Sequence, residues 1–500
     1  MQAQGTYRGF RTAGIRLLEE PSPLIPRPPV EDGLLEHFHN FDKAQVVMLT
    51  EEGLILRADG VAMLRALRSM EAEGVVAARH RVGGGMHSGE QYLIRSLGEQ
   101  VGGRMHMGRS SGDLGSVAWR LRSRAGLLAA MASLNRLRET MLDLAGQYLD
   151  AAMPTYTHGK HAQITTFGAV LVSWAGALER DGQRLREAYD HINVSTAGCA
   201  AGTGTSFPLN RRRTAELLGY DVVSRNARDQ YSPDPFFQQL AALALLNTSL
   251  QEWANDLMFW GSDEMGMIDL ADRFCGTSSI MAQKKNMVAL EAFKALASRA
   301  VMALNEAIFD FKGPTMLPVH ERAFASFGLW RGLDDAVAVL NLFREALLGL
   351  EVNADRMADQ AGRYWAQATD LAGALVKEKD LPWRTAHQII GIVVRLSYER
   401  GLTPQDCTPA LIDEAAMLYM GQPVGLSHQA LAETLDPRNF PRGRTLLGGP
   451  APEETARRIP GYRSRLEADA AWLDQANARV QRGRETLDGA IDTLLGGTTG

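Results

Sequence analysis

The run Gly276-Thr277-Ser278-Ser279-Ile280-Met281-Ala282-Gln283-Lys284-Lys285-Asn286 gathers two serine hydroxyls, a lysine and an amide in a polar stretch ahead of a strongly helical segment. Ser278 stands six residues before Lys284, and Asn286 follows two residues later. That set suits anionic chemistry, because it puts a proton acceptor beside groups that hold a developing negative charge. A serine hydroxyl is a weak base unless its anion is stabilised, which Lys284 and the loop amides could do. The helix beginning near Met287 adds the positive end of its dipole.

Other chemistries find less support. Gly202-x-Gly204 has neither the preceding strand nor the full spacing of a nucleotide loop. His158 and His161 lie three apart without a third ligand of the HExxH kind, so no metal is expected. Cys199, Cys275 and Cys407 are far apart and form no CxxC or Cys/His spacing, which fits a reducing compartment. The formal charge of −5, from 53 Lys plus Arg against 58 Asp plus Glu, comes without a long basic run. Nucleic acid and anionic membranes are therefore poor partners. No apolar run approaches a membrane span. Residues Met1 to Arg11 are polar and Gly-containing where a signal peptide needs an apolar centre. The expected location is the cytoplasm.

The elements that must position the polar loop are helices. Apolar side chains step by three and four through Leu127, Met131, Leu134, Leu137, Met141, Leu144 and Tyr148, and again from Phe236 through Leu240, Leu243, Leu246, Leu250, Trp253 to Leu257. Shorter stripes cover Phe167–Leu178, Leu290–Leu304 and Leu333–Leu347. This is sustained helical periodicity, with Pro233 and Pro235 opening the second long helix. Five such helices must bury their stripes on one another as a bundle. Extra Ala and Leu on neighbouring faces predict burial on more than one side, hence oligomerisation. Five hundred residues exceed one ordinary core. The expected division is a small N-terminal domain over 1–113, opened by a proline-rich arm from Pro21 to Pro29, then a central bundle over 114–370. A helical C-terminal domain over 371–500 completes it, interrupted by the Pro/Gly-rich stretch from Pro437 to Pro452.

The catalytic run resembles the Gly-Ser-Ser-x-Met-Pro-x-Lys-x-Asn loop of the aspartase/fumarase superfamily, and its Gln-Lys-Lys-Asn ending resembles the argininosuccinate lyase branch. Four further segments agree. Gly103–Asp113 is similar to the family's Gly-Arg-Ser-Arg-Asn-Asp region, and Met153–Gln163 to Pro-Gly-Tyr-Thr-His-x-Gln-x-Ala-Gln. Gly202–Pro208 with Arg213–Gly219, and Ala368–Ala372 with Ala386–Gly391, follow the branch as well. The resemblance runs from roughly residue 80 to 455. It implies a mainly α, three-domain subunit, a homotetramer that pools the central bundles, and active sites shared between three subunits. It also implies a cofactor-free β-elimination on a small carboxylate substrate. Ser278 matches the general base, Thr157 and His158 the substrate-binding and acid-side pair, and Glu291 the carboxylate that hydrogen-bonds the histidine. Lys284 and Asn286 match the groups that steady the carbanion. Arg109, Ser110, Ser111, Gln163 and Ser279 fall at matching motif positions and are expected around the substrate.

The departures concern substrate grips. Ser111 and Gly112 replace the family's Arg-Asn pair, which costs a planar bidentate cation and an amide. Arg109, His106 or Lys160 are the candidates to compensate. Lys312–Glu321 replaces a segment that usually carries Tyr-Asn-Lys/Arg-Asp, with Pro318, Val319 and His320 making that pocket more apolar. Ala282 replaces the loop proline, and Gly159-Lys160 the usual Leu-Gln. The expected activity is an argininosuccinate lyase-like carbon–nitrogen lyase acting on an N-substituted aspartate or related succinate, releasing fumarate or an analogue and an amine. The alternatives are a genuine argininosuccinate lyase, a lyase for a C–O or nitro leaving group, and an inactive structural homologue.

Overall fold

The computed structural model describes Leu24, residues 32–312 and residues 320–496, with side chains in the last span from 328 onward. Apart from Leu24, the expected proline arm lies outside the described residues, as do Pro318 and Val319 and the side chain of His320.

The chain is mainly α, as the periodicity requires, with a few two-stranded sheets between helices. Each apolar stripe falls on one long helix: Ser111–Gln147, Phe167–Ile192, Asp234–Trp260, Val288–Phe311 and His320–Leu348. Pro233 is the N-cap of the third, with Pro235 in its first turn. Leu127, Leu134, Leu137, Leu243, Leu250 and Leu257 are fully buried, each contributing about 1.5–3 kcal/mol by leaving water. Aromatic rings tie the helices together. Trp174 stacks on Trp253 at 5.0 Å and on Trp260 at 5.9 Å, and Phe293 meets Phe343 at 5.1 Å. One face stays uncovered: Leu245, Phe259, Met302, Ile308 and Phe309 on the third and fourth helices are exposed.

The apolar packing groups the elements in two main clusters. The first helices, starting with Asp32–Glu51, share one continuous apolar cluster with the bundle. A separate, smaller cluster runs from Leu371 to Leu431. The last helix, Pro452–Gly496, does not join that smaller unit. It lies back along the bundle, contributing Leu466, Leu473, Ala476 and Leu487 to the large cluster. Arg138 reaches Asp469 at 2.5 Å and Arg465 reaches Glu179 at 2.8 Å along this seam. An amphipathic helix must cover its apolar face, and here the bundle provides the larger surface. No helix among the described residues is long and apolar enough to cross a membrane.

Candidate active site

The polar run Gly276–Asn286 is a hairpin with a largely exposed loop. Gly276 and Thr277 pair antiparallel with Asn286 and Lys285, so the chain from Ser278 to Lys284 forms the loop between them. The two lysines have different jobs. Lys285 Nζ is held by Asp269 at 2.8 Å and Asp272 at 3.0 Å, which pin the base of the hairpin and hold its pKa above the usual lysine range. Lys284 is exposed and has no ion pair among the described residues, leaving its ammonium for a ligand. Ser278 Oγ accepts hydrogen bonds from the backbone N–H groups of Met281 (3.0 Å) and Ile280 (3.3 Å). Donors aimed at a hydroxyl oxygen stabilise its anion, which makes a serine usable as a base. Ser279 is exposed beside it. The helix Val288–Phe311 begins two residues beyond Asn286, with no side chain capping its N-terminus and Glu291 exposed in its first turn.

Thr157 and His158 sit at the tip of a second hairpin. Strand Ala152–Thr157 pairs with Lys160–Thr166, and Thr157 faces Lys160 across the closing pair. The two turn residues, His158 and Gly159, have φ of 55° and 70°. Both central residues at positive φ define the tight turn that matches strand twist, so Gly159 meets a backbone demand. His158 is thereby exposed at an apex. Behind it Tyr156 packs edge-on against His161 (4.8 Å) and Phe259 (5.0 Å). The His161 ring lies 4.7 Å from Tyr364, which with Trp365 has φ of 51° and 61°. That strained pair beside the hairpin carried no signal in the local pattern. Gln163 accepts from Thr155 Oγ1 through its backbone oxygen at 2.6 Å, and its side chain points to solvent.

The third segment behaves otherwise. Arg109 has a side chain only 1% exposed, and its Nη2 donates to Asp42 at 2.7 Å. Asp42 also binds Arg79. Burial pushes the Asp42 carboxyl up, but Arg109 and Arg79 together more than offset this and hold it below its ordinary value. Within the chain Arg109, expected around the substrate, is paired with an internal carboxylate, because a guanidinium in the core needs a counter-charge. Ser110 is committed too. It caps the helix Ser111–Gln147 in a capping box with Asp113, and its hydroxyl accepts from Gly112 N (3.1 Å) and Ala201 N (3.0 Å). At Gly112 a side chain would collide with the Tyr231 hydroxyl, so Tyr231 fills the space that an asparagine would need.

Ser111 Oγ lies 2.9 Å from His87 Nε2. His87 belongs to a group with Glu90 and His106 whose ligand atoms all lie within 4.8 Å of one another. Burial, with Arg109 nearby, lowers the His106 pKa to about 4. Sequence spacing singled out His106 but neither His87 nor Glu90.

Within one chain, no hydrogen bond or ion pair among the described residues joins Ser278, Lys284 or Asn286 to Thr157, His158 or Ser111. The expected His158–Glu291 bond is likewise absent within the chain.

Residues 65–302 match the family model described as "Lyase", and residues 365–440 match "Argininosuccinate lyase C-terminal". The argininosuccinate lyase of Methanoculleus marisnigri is 36% identical over 91% of this chain and 90% of its own length. That of Methanocaldococcus jannaschii is 33% identical over 89% and 91%. An EDDS lyase in complex with formate superposes with a TM-score of 0.86 at 28% identity, covering 93% of this chain and 92% of that one. A 3-carboxy-cis,cis-muconate lactonizing enzyme from Pseudomonas putida, at 20% identity and a TM-score of 0.69 over 87% of this chain and 95% of that one, shares the fold. The chain belongs to the argininosuccinate lyase family, carbon–nitrogen lyases of the aspartase/fumarase superfamily.

Proposed function

We propose that this protein cleaves the C–N bond of an N-substituted aspartate, or a closely related succinate, without a cofactor, giving fumarate or an analogue and an amine. The observation that carries the reading is the pair of backbone N–H groups on Ser278 Oγ beside the uncommitted Lys284. Ser278 takes the proton from the carbon next to the substrate carboxylate. The electron pair moves into that carboxylate as a dianion, which Lys284, Asn286 and the start of Val288–Phe311 hold. The C–N bond then breaks, its electrons leave with nitrogen, and His158 serves the acid side that returns a proton. Removing one well-placed donor in such a site typically costs about 10²–10³ in rate.

In this reading, the polar loop, the His158 hairpin and the Ser111 segment each supply one part of a site that three subunits share. Two observations support a homotetramer with shared sites: the groups do not meet within one chain, and Leu245, Met302, Ile308 and Phe309 leave an apolar face on the central helices. Glu291 then pairs with His158 across that interface, and Thr157, Gln163, Ser279 and Ser111 line the substrate. We place the enzyme in the cytoplasm, with free thiols at Cys199, Cys275 and Cys407. Fumarate as product fits an EDDS lyase variant, 28% identical, that has fumarate bound.

The substrate reads best as something other than argininosuccinate, because Ser111 and Gly112 stand where the family pattern has Arg-Asn. The second reading, a genuine argininosuccinate lyase, is favoured by the relatives at 33–36% identity that bear that name. Supplying fumarate with a panel of amines and detecting adducts by mass spectrometry tests the reaction. Rescue of an arginine-requiring host separates the two readings. Full activity in Ser278→Ala would overturn the base assignment.

A further inference from the structure

A cavity of about 160 Å³ is lined by none of the residues that the elimination uses. It lies between the first helix Asp32–Glu51, the central helix Ser111–Gln147, the end of the helix Arg211–Leu217 and the last helix Pro452–Gly496. Leu121, Leu128, Leu217, Leu218 and Leu487 are buried and give it apolar walls. His37, Asn40, Arg124 and Arg484 line the same space.

We propose that this cavity binds a small organic monoanion: a carboxylate on a compact hydrocarbon body. Charge carries the argument. Arg124 is only 4% exposed, yet its guanidinium donates to neutral groups alone. These are the backbone oxygens of Gly219 (2.7 Å) and Leu218 (2.8 Å) and the side-chain oxygen of Asn193 (3.1 Å). No carboxylate among the described residues stands within ion-pairing distance of it. Asp221, held by Arg479 at 3.3 Å, is joined to it only through Asn193. A buried charge is ordinarily paired, so Arg124 leaves the cavity with an unanswered positive charge. Arg484 adds a second, being exposed with neither hydrogen bond nor ion pair among the described residues. Burial, followed by the charges of Arg122, Arg124 and Arg484, lowers the His37 pKa to about 4. His37 and Asn40 also make no hydrogen bond among the described residues, and each can donate one to a bound anion.

The other two charged groups lining the cavity are already answered. Lys43 donates to Glu71 at 2.7 Å, and Asp488, which opposes an anion, is paired with Arg68 at 3.1 Å. Guanidinium groups take carboxylate and phosphate alike, and the leucine walls select a ligand with an apolar body. A cavity of about 150 Å³ holds a molecule the size of benzene, which sets the size of that body. Such a ligand ties the first and last helices to the bundle.

The test reads binding without turnover, so it stands apart from the lyase assignment. Full-length protein is titrated by calorimetry with benzoate, with benzamide as its neutral counterpart and inorganic phosphate as an anion lacking an apolar body. The expected result is one benzoate per chain, bound about tenfold or more tighter than either control, and a thermal midpoint raised by benzoate. Arg484→Gln and Ala125→Phe, both at exposed positions lining the cavity, each weaken benzoate binding by about tenfold or more. Lys284→Ala leaves it unchanged, which separates the cavity from the polar loop. Three results overturn the proposal: no benzoate binding, binding lost in Lys284→Ala but kept in Arg484→Gln, or benzamide or phosphate bound as tightly as benzoate. Should both cavity variants fail to fold, wild-type crystals soaked in benzoate decide. A benzoate seated against Arg484 upholds the site, and an empty cavity overturns it.

Discussion

The segment Ser278–Asn286 and the segment Arg109–Asp113 are equally rich in motif residues, and the structure uses them in opposite ways. In the first, Lys284 and Ser279 are exposed, and Ser278 is fed by backbone donors without being tied to another side chain. In the second, Arg109 is buried against Asp42, and Ser110 and Asp113 close a capping box that also collects the N–H groups of Ala200 and Ala201. Matching residue types do not separate the two cases; what each polar atom is already bonded to does. Groups with satisfied partners hold the fold, and groups left unspent at a surface loop are free to act on a substrate.

Substitutions can break that contrast. Ser278→Ala is expected to lower turnover by about 10²–10⁴-fold, the range of a lost general base, with an unchanged thermal midpoint. A lower midpoint would mean that the loop is structural after all. Arg109→Ala should do the reverse, costing about 3–5 kcal/mol in denaturant titrations because Asp42 loses one of its two counter-charges in the core. The same triad makes stability acid-sensitive. Asp42 is held below its ordinary value of 3.8, so its contribution is full above that pH and drains away as pH falls below it. In Asp42→Asn this part of the acid limb should flatten in a pH series of unfolding midpoints.

Lys284→Ala is expected to reduce kcat/KM by about 10²–10³ with little effect on unfolding, whereas Lys285→Ala, whose ammonium serves Asp269 and Asp272, should affect activity far less. Equal losses in the two would erase the distinction drawn between these neighbours. The smallest effect is expected for Ser110→Ala, about 0.5–2 kcal/mol for a lost N-cap, read by thermal unfolding with KM nearly unchanged. A large rise in KM would return Ser110 to the substrate side.

The central architecture was legible along the chain because helical periodicity is a local property. Residues three and four apart share a face whatever lies opposite, so the stripes from Leu127, Phe236 and Leu290 located their helices before any packing was known. The polar loop was legible for a related reason: Ser278, Lys284 and Asn286 lie within a few residues of one another along the chain. Contacts between distant residues were not. Arg109 finds Asp42 across 67 positions, and His87, Glu90 and His106 converge from two separate elements. The helix Pro452–Gly496 leaves its sequence neighbours to pack on Ser111–Gln147. Local pattern reports which face of a segment wants to be buried. Which partner buries it, and which charge meets which, depends on the whole chain closing on itself, and only the tertiary structure decides that.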